Sequence, residues 1–169
     1  MKDHMVISNF LPDKDFKELT QQVVWNKDFP MYLNDWVSHE NRNNPNLWDW
    51  FGCHIVFVED GFYKDQSGKF PYFLKLFQPL LKWKKLIRIK INFYCRTEKI
   101  QKHAFHVDYK YKHKVALLGL NTCDGFTGLK EKKIQSVANQ LILFKGDISH
   151  CSTTCTNSKG RWNIIINYL

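Results

Sequence analysis

After residue 85 the apolar pattern of this 169-residue chain changes to a period of two. Ile87, Ile89 and Ile91 alternate with Arg88, Lys90 and Asn92. Near the C-terminus Trp162, Ile164, Ile166 and Tyr168 alternate with Arg161, Asn163, Ile165 and Asn167. A period of two sends successive side chains to opposite faces, so each run reads as a strand with one packed and one polar face. Further strand candidates are 104–109, 114–121, 134–138, 140–145 and 162–168, with turn chemistry at Cys123-Asp124-Gly125 and Lys145-Gly146-Asp147. Many short strands at this spacing predict a mainly β fold, a double-sheet barrel or jelly roll buttressed by N-terminal helices.

The first 85 residues follow other rules. Val6–Asp13 reads as a short strand leading into a helix, in which Phe16, Leu19 and Val23 recur at helical spacing. From Asn26 to Trp50 the periodicity fails: Pro30, Pro45, Asn34, Asn41, Asn43, Asn44 and Asn46, with Trp36, Trp48 and Trp50, predict a long excursion serving as a lid or substrate wall. Cys53–Val58 reads as a buried strand, Asp65–Gly68 as a turn, and 70–81 as a helix that Pro79 breaks or kinks. No linker or repeat divides the chain, which is read as one domain over 1–169: helical support and lid in 1–85, barrel core with the metal site in 86–169.

Composition narrows the class. Apolar residues make up 44% and aromatics 15%, enough for a packed core. No apolar run reaches the ~18–20 residues of a membrane span, and the N-terminus lacks the apolar core of a secretory signal, so a soluble, cytoplasmic protein without a membrane partner is expected. The five cysteines are odd in number and thinly spread, so reduced thiols are expected. A net charge of +9 suggests nucleic acid, yet only four of the 25 basic residues are Arg, and a Lys-rich chain with 13 Asn is equally what solvated faces and coding bias produce.

The chemistry concentrates in a few residues. In Phe105-His106-Val107-Asp108 an imidazole and a carboxylate stand two apart on a predicted strand and so leave one face. His150 follows 42 residues after Asp108. Two imidazoles and one carboxylate on one face of an octahedron leave three adjacent positions open, the arrangement of non-haem Fe(II) oxygenases. Arg161 lies 11 residues beyond His150, on the polar face of its strand with Asn163. A guanidinium lining a barrel interior needs an anionic partner, and a dicarboxylate supplies one through paired hydrogen bonds.

On these residues the chain resembles the Fe(II)- and 2-oxoglutarate-dependent oxygenases of the prolyl-hydroxylase type, and in particular small phage-encoded members. The stretches that carry the likeness are 88–109, 115–129 and 136–169, with a similar opening in VISNFLPDKDFKEL. The resemblance implies a double-stranded β-helix, iron held by His106, Asp108 and His150, 2-oxoglutarate and O2 as cosubstrates, and Arg161 on the distal carboxylate of 2-oxoglutarate. It also implies hydroxylation of a substrate C–H bond with release of succinate and CO2, and a host-cytoplasmic setting for a phage product. Related enzymes often carry a cosubstrate-binding Tyr on the strand after HxD, where this chain has Leu118-Gly119-Leu120. Tyr94, Asn92 and Asn163 are the candidate replacements. The substrate is left open among prolyl or other protein side chains, peptides, free amino acids, nucleobases and other anionic molecules.

Two other readings compete. A zinc-stabilised domain without activity would use His103, His106, Cys151 and Cys155. A nucleic-acid-binding β-barrel module would use Tyr109, Tyr111, Lys110, Lys112 and Lys114, with Lys82, Lys84 and Lys85 around Trp83, as stacking faces beside phosphate-pairing cations. The same Lys110–Lys114 ribbon, lying next to the predicted ligands, is expected to steer an anionic substrate to the site.

Overall fold

The computed structural model describes residues 4–38, 42–43, 46–61 and 65–169. Asn41, Asn44 and Pro45 of the expected excursion lie outside these residues. The chain runs β1 (His4–Ile7), α1 (Asp13–Val23), β2 (Tyr32–Asn34), β3 (Phe51–Val58), α2 (Phe70–Leu81), β4 (Leu86–Cys95), β5 (Lys114–Gly119), β6 (Phe126–Leu129), β7 (Lys132–Gln135), β8 (Leu141–Lys145), β9 (His150–Cys151) and β10 (Gly160–Tyr168). Seven strands form an antiparallel sheet in the order β1-β8-β5-β10-β4-β3-β2, and three form a second sheet, β7-β6-β9. This is the expected jelly-roll architecture. Among the described residues, no helix is long and apolar enough to cross a membrane.

The two faces of the large sheet are chemically distinct. One is apolar: Ile89, Ile91, Ala116, Leu118, Leu141, Ile164 and Ile166 pack with Leu19 and Val23 of α1 and Phe73 and Phe77 of α2. The other faces the barrel interior, where Val115, Leu117, Ile142, Phe144 and Ile165 meet Leu129 of the small sheet and Ile148. Acidic Asp13 and Asp15 in the first turn of α1 suit the positive end of its dipole. α2 runs through Pro79 to Leu81 and ends at Lys82 in the left-handed region (φ 49°). The expected break at Pro79 does not occur, because less than a turn of helix remains beyond it and the seating of Phe73 and Phe77 outweighs one lost backbone bond.

Three further expectations need correction. The excursion at 26–50 contains β2, a three-residue edge strand paired with β3, too short and too exposed to produce a periodic signal. β6 lies in 122–129, where Gly125 and Gly128 mask the pattern. The segment 104–109 is not a regular strand: within it only His106 is bridged, antiparallel to His150. Gly and Pro are absent from that segment, and its neighbour β9 is itself only two residues long, so no ladder can extend.

Asn139 ties the N-terminal segment to the barrel. Its backbone is left-handed (φ 58°), its side-chain oxygen accepts from the Leu11 N–H (2.9 Å), and its amide donates to the Leu11 carbonyl (2.8 Å). Asn is among the few residues that adopt this conformation while offering both a donor and an acceptor. Asn139→Ala would orphan both buried Leu11 groups and strain the turn, so it is predicted to cost about 2–4 kcal/mol in urea unfolding. A loss below about 0.5 kcal/mol would show that the tie carries no stability.

Candidate active site

His106 and His150 face each other through their backbones. The His106 N–H donates to the His150 carbonyl and the His150 N–H to the His106 carbonyl, both at 2.9 Å. Residues directly opposite in such an antiparallel pair project their side chains to the same side, and the two imidazole centroids lie 4.7 Å apart. Asp108, two residues beyond His106, reaches the same place: the ligand-capable atoms of His106, Asp108 and His150 all lie within 4.8 Å of one another. Among the described residues this is the one group of three or more His, Cys, Asp or Glu so placed.

Both rings are oriented for coordination through Nε2. His106 Nδ1 contacts the Ala104 carbonyl (3.2 Å) and His150 Nδ1 the Ile148 carbonyl (3.3 Å). A carbonyl only accepts, so in the neutral ring the proton sits on Nδ1 and the Nε2 lone pair is free. Burial depresses both imidazoles, His150 to about 4, and so favours the neutral form that binds metal.

Asp108 is gripped from β4 and β10 together. Its Oδ1 contacts Arg88 Nη2 at 2.7 Å and its Oδ2 accepts from Asn167 Nδ2 at 2.9 Å. Asn167 Oδ1 in turn accepts from Arg88 Nε (3.1 Å), and Asn167 Nδ2 also approaches His113 Nε2 (3.2 Å). Burial alone would raise the Asp108 pKa, but the Arg88 guanidinium, followed by His150, Lys90 and the Asn167 hydrogen bond, holds it well below the usual carboxylate range. Two oxygens have about four lone-pair sites, so these contacts leave room for a metal. Two neutral imidazoles and one fixed carboxylate suit a divalent first-row ion such as Fe(II).

The polar face of β4 and that of β10 line the cavity in register. Tyr94 pairs with Arg161, Asn92 with Asn163, Lys90 with Ile165 and Arg88 with Asn167. The cavity between them is lined by His106, Asp108, His150, Lys90, Asn92, Tyr94, Thr127, Arg161 and Asn163, with Val37 and Phe51 from the N-terminal half. All seven residues expected from the sequence therefore border one space. Val37 makes part of the expected excursion a wall of that space, and the Trp48 carbonyl approaches His103 Nε2 at 3.3 Å.

Arg161 is 1% exposed, and no carboxylate among the described residues pairs with it. Its Nη2 donates to Thr127 Oγ1 (2.6 Å), its Nη1 to the Thr153 carbonyl (3.4 Å), and its guanidinium carbon lies 5.5 Å from the Tyr94 ring centre. Nε has no partner, nor does the buried Asn92 Oδ1. Burial pushes the Arg161 pKa down and that of Tyr94 up. Lys90 is half-buried, its Nζ 5.3 Å from the centre of the Phe51 ring; burial, then Arg88, push it down to about 8, against the pull of Asp108.

The absence of a Tyr on the strand after HxD has a steric cause. A Cβ at Gly119 would stand 2.3 Å from the Val137 carbonyl oxygen, so no side chain fits there. Tyr94 and Thr127 occupy the neighbourhood of Arg161 instead. Thr127, Lys90, Arg88 and Asn167 were not among the sequence candidates. The strand alternation places three of them on the site face, but only the three-dimensional pairing reveals what they touch.

The zinc constellation of His103, His106, Cys151 and Cys155 is not assembled among the described residues. His103 is engaged at both ring nitrogens, Nδ1 with Ser152 Oγ (3.0 Å) and Nε2 with the Trp48 carbonyl. Tyr109 lies over the Arg88 guanidinium (5.2 Å) and packs with Tyr111 and His113, while Lys110, Lys112 and Lys114 are exposed.

No protein-family model matches the chain, and no curated protein matches it by sequence. Solved structures do. A prolyl hydroxylase of Trichoplax adhaerens, in complex with a hypoxia inducible factor oxygen degradation domain peptide, superposes with a TM-score of 0.69 at 15% identity, over 100% of this chain and 84% of that one. A 2OG-Fe(II) oxygenase family oxidoreductase from Burkholderia pseudomallei gives 0.68 at 8% identity, over 98% and 84%. A Pseudomonas putida prolyl-4-hydroxylase gives 0.64 at 12% identity, over 99% and 93%. The chain has the double-stranded β-helix fold of the 2-oxoglutarate- and Fe(II)-dependent oxygenases.

Proposed function

We propose that this chain is an Fe(II)- and 2-oxoglutarate-dependent oxygenase that hydroxylates a C–H bond of its substrate. The observation that carries the reading is the convergence, in one cavity, of His106, Asp108 and His150 with a buried guanidinium that lacks an anionic partner. A substrate borne on a protein or peptide side chain, prolyl or other, is in keeping with the similar prolyl hydroxylase solved with its peptide.

In this mechanism His106 and His150 offer Nε2 and Asp108 a carboxylate oxygen to the metal. Bound there, Fe(II) supplies the redox chemistry that couples oxidative decarboxylation of 2-oxoglutarate to hydroxylation of the substrate. Arg161 receives the distal carboxylate of 2-oxoglutarate, and its unpartnered Nε supplies a spare donor for it. Thr127 and Tyr94 hold the guanidinium in place. The amide pair Asn92–Asn163 (3.0 Å) spans the wall between the two ends and presents the unpartnered Asn92 Oδ1. Arg88 and Asn167 fix the Asp108 carboxylate from behind, and Leu117, Ile165 and Phe51 exclude water.

His106→Ala and Asp108→Ala are each predicted to abolish iron-dependent release of CO2 from 2-oxoglutarate; normal turnover in both would remove the proposed ligand set. Arg161→Ala is predicted to raise the KM for 2-oxoglutarate by roughly 10–100-fold, with Arg161→Lys intermediate, since one charge-assisted contact is worth about 1.5–3 kcal/mol. An unchanged KM would place the cosubstrate elsewhere. Asn167→Leu is predicted to weaken metal affinity by roughly 10–100-fold in a competition titration while circular dichroism stays native. Wild-type affinity would show that Arg88 alone suffices.

A further inference from the structure

Lys90 is the one cation of the cavity without an assigned task. Arg88 is paired with Asp108, and Arg161 faces the cosubstrate in the proposal above. Lys90 stands between them on the same face of β4, opposite Ile165, which offers it nothing. Among the described residues no carboxylate is in ion-pair contact with its ammonium; the nearby Asp108, which contacts Arg88 and Asn167, attracts it only through space. Its ammonium lies over the Phe51 ring face, a weak substitute for an anion.

A half-buried ammonium with no anion in direct contact leaves a place that an anionic ligand can fill. The site as a whole has the same imbalance. Arg88, Lys90 and Arg161 face a single carboxylate, Asp108. Adding a dipositive ion and a dianionic cosubstrate leaves that excess of cations unchanged. The two candidate anion receptors spring from different rungs of the ladder. Lys90 and Arg161 lie four rungs apart on the paired strands, a backbone separation of roughly 13 Å along the ladder, with the Phe51 and Tyr94 rings between their cationic ends.

We infer that Lys90 is a substrate-recognition residue, and that the substrate carries an anionic oxyacid group, a carboxylate or a phosphate, close to the carbon that is oxidised. The inference rests on the oxygenase reading and adds the substrate's chemistry to it. The ammonium holds the anion by a charge-assisted contact beside the metal, on the opposite side of the Asn92–Asn163 pair from Arg161. Phe51, which stacks on Tyr94 with centroids 5.9 Å apart, supplies the apolar wall against which the rest of the substrate lies.

The test uses the full chain loaded with cobalt(II) and 2-oxoglutarate, titrated calorimetrically with acetate in one arm and inorganic phosphate in the other. Wild type, Lys90→Met and Lys90→Arg are compared. At least one anion is expected to bind wild type, about tenfold or more weaker in Lys90→Met and within about threefold in Lys90→Arg, while 2-oxoglutarate affinity is the same in all three. The arm with tighter binding names the group. Equal binding to Lys90→Met would assign the anion to the metal and overturn the inference, as would the absence of anion binding to loaded wild type. A loss of 2-oxoglutarate affinity in Lys90→Met would assign the lysine to the cosubstrate and overturn it too. If wild type takes up neither cobalt nor 2-oxoglutarate, the oxygenase reading itself fails, and this inference falls with it.

Discussion

The antiparallel pairing of β4 with β10 is the constraint on which the rest depends. It runs from Gly160 opposite Cys95 to Tyr168 opposite Leu86 and lies at the heart of the large sheet. Because side chains alternate, one register settles two things at once. It sends Ile89, Ile91, Ile164 and Ile166 toward the helices, and it aligns Tyr94, Asn92, Lys90 and Arg88 with Arg161, Asn163, Ile165 and Asn167 inside the barrel. A slip by one residue would bury the charged face in the core and expose the isoleucines, so hydrophobic burial enforces the geometry of the site.

That polar face would be unfavourable in an ordinary barrel. Three cations and a pair of amides replace what would otherwise be apolar packing, and each must find a partner. Asp108 forms an ion pair with Arg88, and Asn167 joins the two. Thr127 and the Thr153 carbonyl satisfy Arg161 in part. Arg161 Nε and Asn92 Oδ1 stay without a partner on residues that line the cavity, and the Lys90 ammonium there meets the face of the Phe51 ring. The metal end is organised by different means, since the reciprocal backbone bonds between His106 and His150 set the two imidazoles opposite each other without a regular strand around them.

The sequence was most legible where a long strand repeats a period. The alternation over 86–95 and 160–168 placed Arg161, Asn163, Asn92 and Tyr94 on the interior face correctly, and the HxD spacing held although 104–109 forms a single bridge and not a strand. Short elements were illegible. β2 and β6, of three and four residues, are too brief for a period to show, and with β6 went Thr127, the hydroxyl partner of Arg161. Gly119 could be seen as a departure from related enzymes, but its cause, the Val137 carbonyl in van der Waals conflict with any Cβ, is a long-range contact that no local pattern encodes. The joint grip of Arg88 and Asn167 on Asp108 is of the same kind.

The central claim is that His106, Asp108 and His150 hold a metal to which 2-oxoglutarate adds, and the optical spectrum of the cobalt(II)-substituted protein tests it most directly. Nitrogen and oxygen ligation predicts weak ligand-field bands without sulfur-to-metal charge transfer, shifted when 2-oxoglutarate is added. Intense thiolate charge-transfer bands, which would bring Cys151 and Cys155 back as ligands, or a spectrum indifferent to 2-oxoglutarate, would contradict the account.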